Sequence, residues 1–304
     1  MEGISVVINT LNEEENLPRA LASIKNLANE VIVCDMESND ATVQIAEKAQ
    51  AHVYTHKRVG YVEPARNFAI SKATREWILL LDADEEVPKK LADKLKEIAV
   101  KPTADYYRIP RKNIIFGSWL KHSRFWPDYN IRFFKKGCVS WNEVIHSVPT
   151  TQGNGADLAD KEETAILHYN YNSIGQYLDR MNRYTGIQAE LLIREKHKFL
   201  WKDLIEKPTQ EFVSRYFAGE GYKDGLHGLA ISLLQAFSEI ILYMKVWQEE
   251  KFMEQSITTR EVTIELGKTK KELDWWLTEI GIKSKDFLSS LPLRIMRKLS
   301  KKDA

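Results

Sequence analysis

The sequence predicts an α/β fold with a mostly parallel sheet, followed by a helical C-terminal appendage. Over residues 1–100, short apolar runs alternate with segments whose apolar residues recur at helical spacing. This alternation is typical of βαβ units, in which a helix connects two parallel strands. From residue 171 onward the pattern changes to long helical stripes. We therefore expect a sheet domain over 1–170 and a helical region over 171–304.

Composition indicates a soluble globular protein. Of 304 residues, 43% are hydrophobic and 29% are charged. The 44 basic and 43 acidic residues leave a net charge of +1, so the sequence offers no charge excess for binding nucleic acid. Two cysteines predict no disulfide framework. No signal-peptide pattern precedes the first strand and no run of about 20 apolar residues occurs, so we expect a cytoplasmic protein without a membrane-spanning helix.

The most apolar predicted strand, residues 77–81, is followed at once by Asp82 and Asp84. At the carboxyl end of a buried strand, these acids would lie at the ligand crevice of an open α/β sheet. Two unpaired carboxylates repel each other and lose hydration, and a divalent cation removes both costs. Oxygen ligands suit Mg²⁺ or Mn²⁺, which also bind substrate phosphates. An ordinary acidic turn, continued by the glutamates at 85–86, explains the same residues, so this motif alone leaves both interpretations open.

Polar side chains follow each of the four predicted strands of this half. They are Asn9, Thr10, Asn12, Glu13 and Glu14 after the first, Asp35, Ser38, Asn39 and Asp40 after the second, Arg58, Arg66 and Asn67 after the third, and Asp82 and Asp84 after the fourth. The carboxyl ends of parallel strands share one rim, so these groups predict one site. Asn12 and Glu15 also have the spacing of a helix capping box. The sequence lacks the glycine-rich motifs of dinucleotide dehydrogenases and P-loop NTPases.

Four of these segments together resemble the nucleotide-sugar half of family 2 glycosyltransferases, which have the GT-A fold. They are Ser5–Glu14 (SVVINTLNEE), Asp35-x-x-Ser38-x-Asp40-x-Thr42, Ala65-Arg66-Asn67 and Leu81-Asp82-Ala83-Asp84. The resemblance implies a GT-A catalytic domain over 1–170, with the nucleotide-sugar half at 1–100 and the acceptor half at 101–170.

The resemblance further implies a uridine pocket and a divalent ion, Mg²⁺ or Mn²⁺. Asp35 would lie near the uracil or ribose, and Arg66 would neutralise the diphosphate or hold the base. Asp82 and Asp84 would form the DxD motif, with Asp84 as the direct metal ligand. The nucleotide-binding residues implied in this way are Thr10, Asn12, Glu14, Asp35, Arg66 and Asp82.

The acceptor half supplies further candidates. An inverting transfer needs a carboxylate that takes the proton of the acceptor hydroxyl, and Glu143 lies where the resembled family places that base. This chain has Asn-Glu there rather than the commoner Glu-Asp. GT-A enzymes often have a late histidine that completes the metal shell, and the resemblance implies this role for His168. His146 is an alternative candidate, which would contact the diphosphate or the acceptor. Trp119 and Trp126 either stack on acceptor sugars or cover the sheet.

The C-terminal appendage also resembles a subgroup, the lipopolysaccharide core glucosyltransferases of family 2. The matching segments are Arg183-Tyr184-Thr185 in a helix that Ser173 starts, and Tyr222-Lys223-Asp224-Gly225-x-x-Gly228. The apolar segment 226–247 is too short and polar for a comfortable span, so it lies in a membrane interface or packs as a core or dimer helix. The tail 285–302 holds six basic residues and one acid, a net of +5. It binds an anionic membrane surface or forms a solvated end helix, although Pro292 interrupts its helical pattern.

These observations predict an inverting, metal-dependent glycosyltransferase. It would move a sugar from a nucleotide-diphosphate donor, as in a UDP-sugar, to a cell-envelope glycan or glycolipid such as lipopolysaccharide core, at the inner face of the cytoplasmic membrane. A nucleotidyltransferase that makes nucleotide-sugars is an alternative. Such an enzyme needs a basic, glycine-rich loop after the first strand, whereas residues 9–16 are acidic. A non-catalytic sugar-nucleotide-binding module is a second alternative, against which intact Asp82, Asp84 and Glu143 argue. The sequence leaves homo-oligomerisation open.

Overall fold

The computed structural model describes residues 2–58, 63–141, 149–283 and 289–300. The chain divides into two compact units. The sheet unit comprises Met1–Trp119 and Phe125–Asn170, and the helical unit comprises Leu120–Arg124 and Tyr171–Ala304. A five-residue segment of the acceptor half, Leu120–Arg124, thus belongs to the helical unit.

The sheet unit is a mixed sheet with helices on both faces. Its strands are β1 Ile4–Thr10, β2 Glu30–Asp35, β3 His52–Thr55, β4 Trp77–Asp82, β5 Glu85–Glu86, β6 Tyr106–Ile115, β7 Ser118–Trp119, β8 Asp128–Lys135, β9 Val139–Ser140, β10 Thr150–Thr151, β11 Gly155–Asp157 and β12 Ile166–Tyr171. Its helices are α1 Leu17–Ile24, α2 Thr42–Lys48, α3 Glu63–Lys72 and α4 Lys89–Val100.

The sheet has the order β3-β2-β1-β4-β8-β6-β12-β5, with β7 and β11 also paired to β6. β1 to β4 run parallel to one another, which confirms the prediction for the nucleotide-sugar half. β8 is antiparallel to both β4 and β6, so the acceptor half turns the sheet into a mixed one. The carboxyl ends of β1, β2 and β4 therefore meet at one rim, as the sequence predicts.

The apolar runs of the sequence form the strands, and their side chains are buried on both faces of the sheet. Every residue of β1 is buried, and successive side chains alternate between two cores. Val6 packs in the core that holds Leu17 and Leu91, whereas Val7 packs in the core that holds Ala69. Truncating one such buried aliphatic side chain to Ala costs about 2–5 kcal/mol. This doubly covered sheet holds the rim in place.

The helical unit contains α5 Ile174–Arg194, α6 Asp203–Phe212, α7 Gly225–Glu249, α8 Thr259–Lys283 and α9 Leu291–Ser300. The hydroxyl of Ser173 accepts from Gln176 N at 3.1 Å, so Ser173 caps α5 as predicted. Gly228 is required sterically, since a Cβ there would lie 1.9 Å from the carbonyl oxygen of Gly221.

The end of the chain forms a helix where the sequence suggested an interruption. Pro292 lies in the first turn of α9, where its missing N–H needs no partner, so it starts the helix rather than breaking it. Arg297 forms an ion pair with Glu279 of α8. A Cβ at Gly281 would lie 3.0 Å from Leu293, so the two helices pack closely. The part of the basic tail that forms α9 therefore packs against α8.

Helix α7 is longer and more apolar than expected. Together with the turn before it, the segment Gly221–Glu249 is long and apolar enough to cross a membrane by length and composition alone, as the core helix of a soluble protein can also be. The expectation that this segment is too short was wrong. Leu226, Leu233, Phe237 and Met244 are exposed by 78, 52, 43 and 44%. At about 100° per residue these four share one face of the helix.

Candidate active site

Asp82 ends β4 and is held by two arginines. Its Oδ1 accepts from Arg66 Nη2 of α3 at 3.1 Å, and its Oδ2 accepts from Arg132 of β8. Burial raises the pKa of the Asp82 carboxyl, but the charges of Arg132 and Arg66 outweigh burial and hold this pKa well below its usual range. Asp82 therefore remains ionised, with both oxygens paired to guanidinium groups.

Glu85 is fully buried beneath the same rim. It accepts from the backbone N–H of Asp82 at 2.9 Å, from Arg132 at 2.6 Å and from Arg111 at 3.3 Å. Burial lowers the pKa of Arg132, but Asp82 and Glu85 outweigh burial and raise it, so the group is a fixed cation. A buried carboxylate needs such partners, whereas a surface turn does not. Glu85 is therefore a buried ion-pair partner rather than an exposed acid of a surface turn.

His168 lies beside Asp84, although the two are far apart in sequence. β12 pairs antiparallel with β5 so that His168 faces Glu85, and the Tyr169 N–H donates to the Asp84 carbonyl at 2.9 Å. His168 Nε2 is then 3.7 Å from Asp84 Oδ1, and each side chain is about 9% exposed. The structure thus brings together the two residues that the sequence proposed as metal ligands.

The carboxylate of this pair fits Mg²⁺ or Mn²⁺. Both cations prefer oxygen ligands, and Mg²⁺ in particular commonly takes only one or two carboxylates plus substrate phosphates and water, whereas imidazole is the more usual ligand of Zn²⁺, Cu²⁺, Fe²⁺ and Ni²⁺. Among residues 2–58, 63–141, 149–283 and 289–300, no group of three or more His, Cys, Asp or Glu side chains is arranged to hold an ion.

The loops after β1 and β2 bind each other. Asp35 is 2% exposed and accepts from the Thr10 hydroxyl at 3.0 Å and from the Ser38 N–H at 2.9 Å. The N–H of Asn12 donates to the Ser38 hydroxyl at 2.8 Å, and Asn12 Oδ1 accepts from Asn39 N at 2.9 Å. Thr10 and Asp35 are therefore buried supports of the rim, with Asn12 exposed above them.

Two local predictions in this region are decided by the same contacts. Asn12 has a left-handed backbone with φ 56, and α1 begins only at Leu17, so the expected capping box is wrong. Glu14 lies at the rim instead: its Oε2 accepts from Ala41 N at 2.9 Å, and its N–H donates to Asp40 at 3.1 Å. Both predicted nucleotide-loop residues thus fix the β1 loop to the start of α2.

The acceptor-side candidates are only partly described. Glu143 and His146 lie outside the described residues. Trp119 and Trp126 form a partly exposed, edge-on pair with ring centroids 5.3 Å apart and planes at 88°. Asn67 donates to the Trp141 carbonyl at 2.6 Å and accepts from its N–H at 2.9 Å. The backbone is therefore anchored to α3 two residues before Glu143.

Sequence reasoning missed the buried and partly buried groups that connect these parts. They are Glu85, Arg111, Asn113, Asp128 and Arg132. Arg111 donates to Asp128 at 2.6 Å as well as to Glu85. Burial raises the pKa of Asp128, but the charge of Arg111 outweighs it and the net pKa is lowered. The available signal was an alternation of polar and apolar residues within the strands at 106–115 and 128–135, which does not reveal ion pairs between strands.

Comparison with known proteins finds a family and individual proteins to which this chain is similar. The sequence model described as Glycosyl transferase family 2 matches residues 5–154. An uncharacterized glycosyltransferase of Rickettsia felis is 30% identical over 89% of this chain and 99% of that protein. The lipopolysaccharide core biosynthesis glycosyltransferase LpsC of Rhizobium meliloti is 22% identical over 81% of this chain and 92% of that protein. The crystal structure of S. aureus TarS 1–349 with UDP-GlcNAc is similar over 85% of this chain and 94% of that chain, at 16% identity and a TM-score of 0.44.

The sheet, its rim of acids and the sequence relatives define a glycosyltransferase. The chain belongs to glycosyltransferase family 2, as the full-length similarity to the Rickettsia felis protein shows. Its α/β sheet unit is the GT-A catalytic fold that the sequence predicted.

Proposed function

We propose that this protein transfers a sugar, with inversion, from a UDP-sugar to a glycan or glycolipid of the cell envelope, in a reaction that requires a divalent cation. The observation that carries the proposal is the pairing of Asp84 with His168 at the carboxyl end of β4, 3.7 Å apart. Beside them Asp82 is already neutralised by Arg66 and Arg132, so it does not compete for the cation.

In this proposal Asp84 and His168 hold Mg²⁺ or Mn²⁺. The bound cation would neutralise charge on the leaving diphosphate. Arg66 is the second positive group at the rim, and its Nε is buried without a hydrogen-bond partner among the described residues. A buried donor without a partner costs free energy, which a phosphate oxygen would recover. Arg66 would therefore contact both Asp82 and the diphosphate of the donor.

The remaining nucleotide contacts follow from the loop geometry. Asn12 and Glu14 line the uridine pocket at the exposed rim, while Thr10 and Asp35 support the loop from beneath. The Asp35 side chain has this supporting role because its carboxylate is engaged by Thr10 and Ser38. In this proposal uridine lies over the carboxyl ends of β1 and β2, and the diphosphate lies over the carboxyl end of β4.

Acceptor activation is assigned to Glu143. As general base it would take the proton of the acceptor hydroxyl while the sugar leaves the diphosphate in line. Trp119 and Trp126 offer aromatic faces on which acceptor sugars stack. His146 is proposed to contact the acceptor or the diphosphate.

The acceptor is proposed to be presented at an anionic membrane surface. The name of LpsC connects a relative to lipopolysaccharide core. Within the described chain, every exposed large apolar side chain except Val100 lies in the helical unit, and four of them share one face of α7. An apolar face near basic residues is typical of interfacial helices. Membrane attachment through the helical unit would bring the enzyme to its acceptor.

The test is a thermal-shift screen of nucleotide-sugars with and without Mn²⁺, followed by transfer assays with the donor that binds. A ligand of the native state raises the midpoint, and we expect the rise to need UDP and Mn²⁺ together. Formation of nucleotide-sugar from sugar phosphate and nucleoside triphosphate would instead establish a nucleotidyltransferase. Donor binding without hydrolysis or transfer to any acceptor would establish a binding module.

A further inference from the structure

His168 has a buried partner that the proposed function does not use. Its Nδ1 lies 2.6 Å from Oδ1 of Asn113, a β6 residue that is 1% exposed. The other imidazole nitrogen, Nε2, faces Asp84 at 3.7 Å, which is too long for a hydrogen bond. Nδ1 thus contacts the amide oxygen of Asn113, and Nε2 is directed toward Asp84, where the cation is proposed to bind.

The orientation of the Asn113 amide is fixed by its other contacts. Its Nδ2 donates to the Phe125 carbonyl at 2.9 Å and to Asp128 Oδ2 at 3.2 Å. Both of these partners are acceptors only, since the pKa of Asp128 is lowered and its carboxyl is ionised. A flipped amide would place its oxygen against a carbonyl and a carboxylate. The Asn113 oxygen therefore faces His168, and Nδ1 of His168 must carry the proton.

We propose that Asn113 is the positioning residue of the cation site: by accepting from Nδ1–H it fixes the imidazole ring of His168 and leaves the Nε2 lone pair directed toward the position that the cation shares with Asp84. This inference rests on the proposed function, because it assigns the Asn113 contact a role in holding the cation. In a histidine metal ligand, the hydrogen bond of one nitrogen sets which nitrogen binds.

The anchoring of Asn113 explains why this position suits the task. Asp128 also accepts from Arg111 at 2.6 Å and from Asn130 at 3.0 Å, so the acceptor that orients Asn113 is itself fixed. The same Arg111 reaches Glu85, which neighbours Asp84 in the chain. His168 is therefore oriented by a continuous set of buried and partly buried hydrogen bonds across β6, β8 and β5.

The first measurement determines the tautomer of His168 in the wild-type protein. Long-range ¹H–¹⁵N correlation spectra of protein labelled with ¹⁵N-histidine, with His168 assigned from His168→Gln, report the tautomer of the ring. We expect the Nδ1–H form in the cation-free protein. An Nε2–H form at His168 would overturn the proposal whether or not any variant folds.

The second measurement is Mn²⁺ affinity in the presence of UDP, followed by electron paramagnetic resonance. Asn113→Ala should weaken Mn²⁺ binding about tenfold to a hundredfold, as loss of such a partner commonly does. Asn130→Ala is the matched control, because it also removes a hydrogen bond to Asp128 but does not contact His168. Unchanged Mn²⁺ affinity in Asn113→Ala, or equal losses in both variants, would overturn the positioning role.

The two measurements also separate this inference from the proposed function. If the wild-type protein shows the Nδ1–H tautomer but binds no Mn²⁺ with UDP, the proposed function fails and the role of Asn113 toward a cation fails with it. If Mn²⁺ and UDP bind and sugar is transferred while His168 is the Nε2–H tautomer, the proposed function stands and only the role of Asn113 is wrong.

Discussion

The imidazole Nε2 of His168 lies 3.7 Å from the carboxylate Oδ1 of Asp84, because a two-residue strand directly after Asp84 pairs with the strand that carries His168. Backbone hydrogen bonds, rather than side-chain contacts alone, set this spacing. The pair is buried and therefore held in one arrangement before any substrate binds. As the proposed ligands, these two side chains would need little additional ordering when a cation and a diphosphate bind.

Asp84→Asn should abolish cation-dependent transfer while the fold is retained. An amide is a poorer ligand for a hard cation than a carboxylate, so we expect Mn²⁺ and UDP no longer to raise the thermal midpoint together. Asp93→Asn removes a carboxylate from an exposed ion pair with Lys89 and is the control. Transfer at the parent rate by Asp84→Asn, or full activity of the wild type in EDTA, would show that the metal assignment is wrong.

Glu143→Gln should lower turnover by about a hundredfold to ten-thousandfold, because the acceptor proton would have no base. Binding of the UDP-sugar should hardly change, since the proposed role begins at the acceptor. Steady-state rates with saturating donor, together with donor titration, measure both effects. Near-normal turnover would transfer the role to another acid, and Glu162 and Glu163 would be the next variants.

Arg132→Met should destabilise the sheet unit by about 3–5 kcal/mol, because it leaves the carboxylates of Asp82 and Glu85 without their shared buried cation. Urea unfolding gives the change in free energy. Arg108→Met is the matched control: the Arg108 pair with Asp157 is about half exposed, so its loss should cost about 0–1 kcal/mol. Equal losses in the two variants would contradict a special role for the buried pair.

Phe237→Glu should weaken binding to anionic vesicles, since it places a charge in the exposed apolar face of α7. Val100→Glu adds the same charge at an apolar residue that is 79% exposed in the sheet unit, and it should bind as the wild type does. Co-sedimentation at low and high salt measures the effect. Equal pelleting of the two variants would exclude this face as the membrane contact.

Truncation after Lys283 tests the basic tail separately. Each basic residue close to an anionic surface contributes roughly 1 kcal/mol, and the contribution falls with salt. The truncated protein should therefore lose the salt-sensitive part of vesicle binding and keep activity on soluble acceptors. Unaltered salt dependence would leave α9 as a packing element on α8.

Glu30→Gln should lower stability at pH 7 by about 1 kcal/mol, and the difference from wild type should disappear in acid. Burial raises the pKa of Glu30, but hydrogen bonds from Ser5 and Thr74 outweigh burial and lower it. A depressed pKa stabilises the fold above the unfolded-state pKa, and this stabilisation is lost as pH falls through the folded-state value. If the difference in unfolding free energy between the two proteins stays constant from pH 7 to pH 3, this linkage is contradicted.

The sequence alone determined the elements that local patterns specify. The five apolar residues at 77–81 lie in β4, and Ser173 caps α5. Each of these depends on periodicity or on a hydrogen bond within one turn, so neighbouring residues contain the information. The motifs that resemble family 2 also placed Asp84 and His168 in one proposed site without giving their distance.

Only the tertiary structure decided how the polar groups are partnered. Asn12 pairs with Asn39 across two loops rather than capping a helix, and Glu85 is buried against Arg132 rather than facing solvent in a turn. The Asn113 contact to His168 likewise joins two strands. A capping residue bonds to its own turn, but a buried polar group is stabilised by whichever partner the sheet brings near it. That partner is set by strand order and register, which local sequence does not encode.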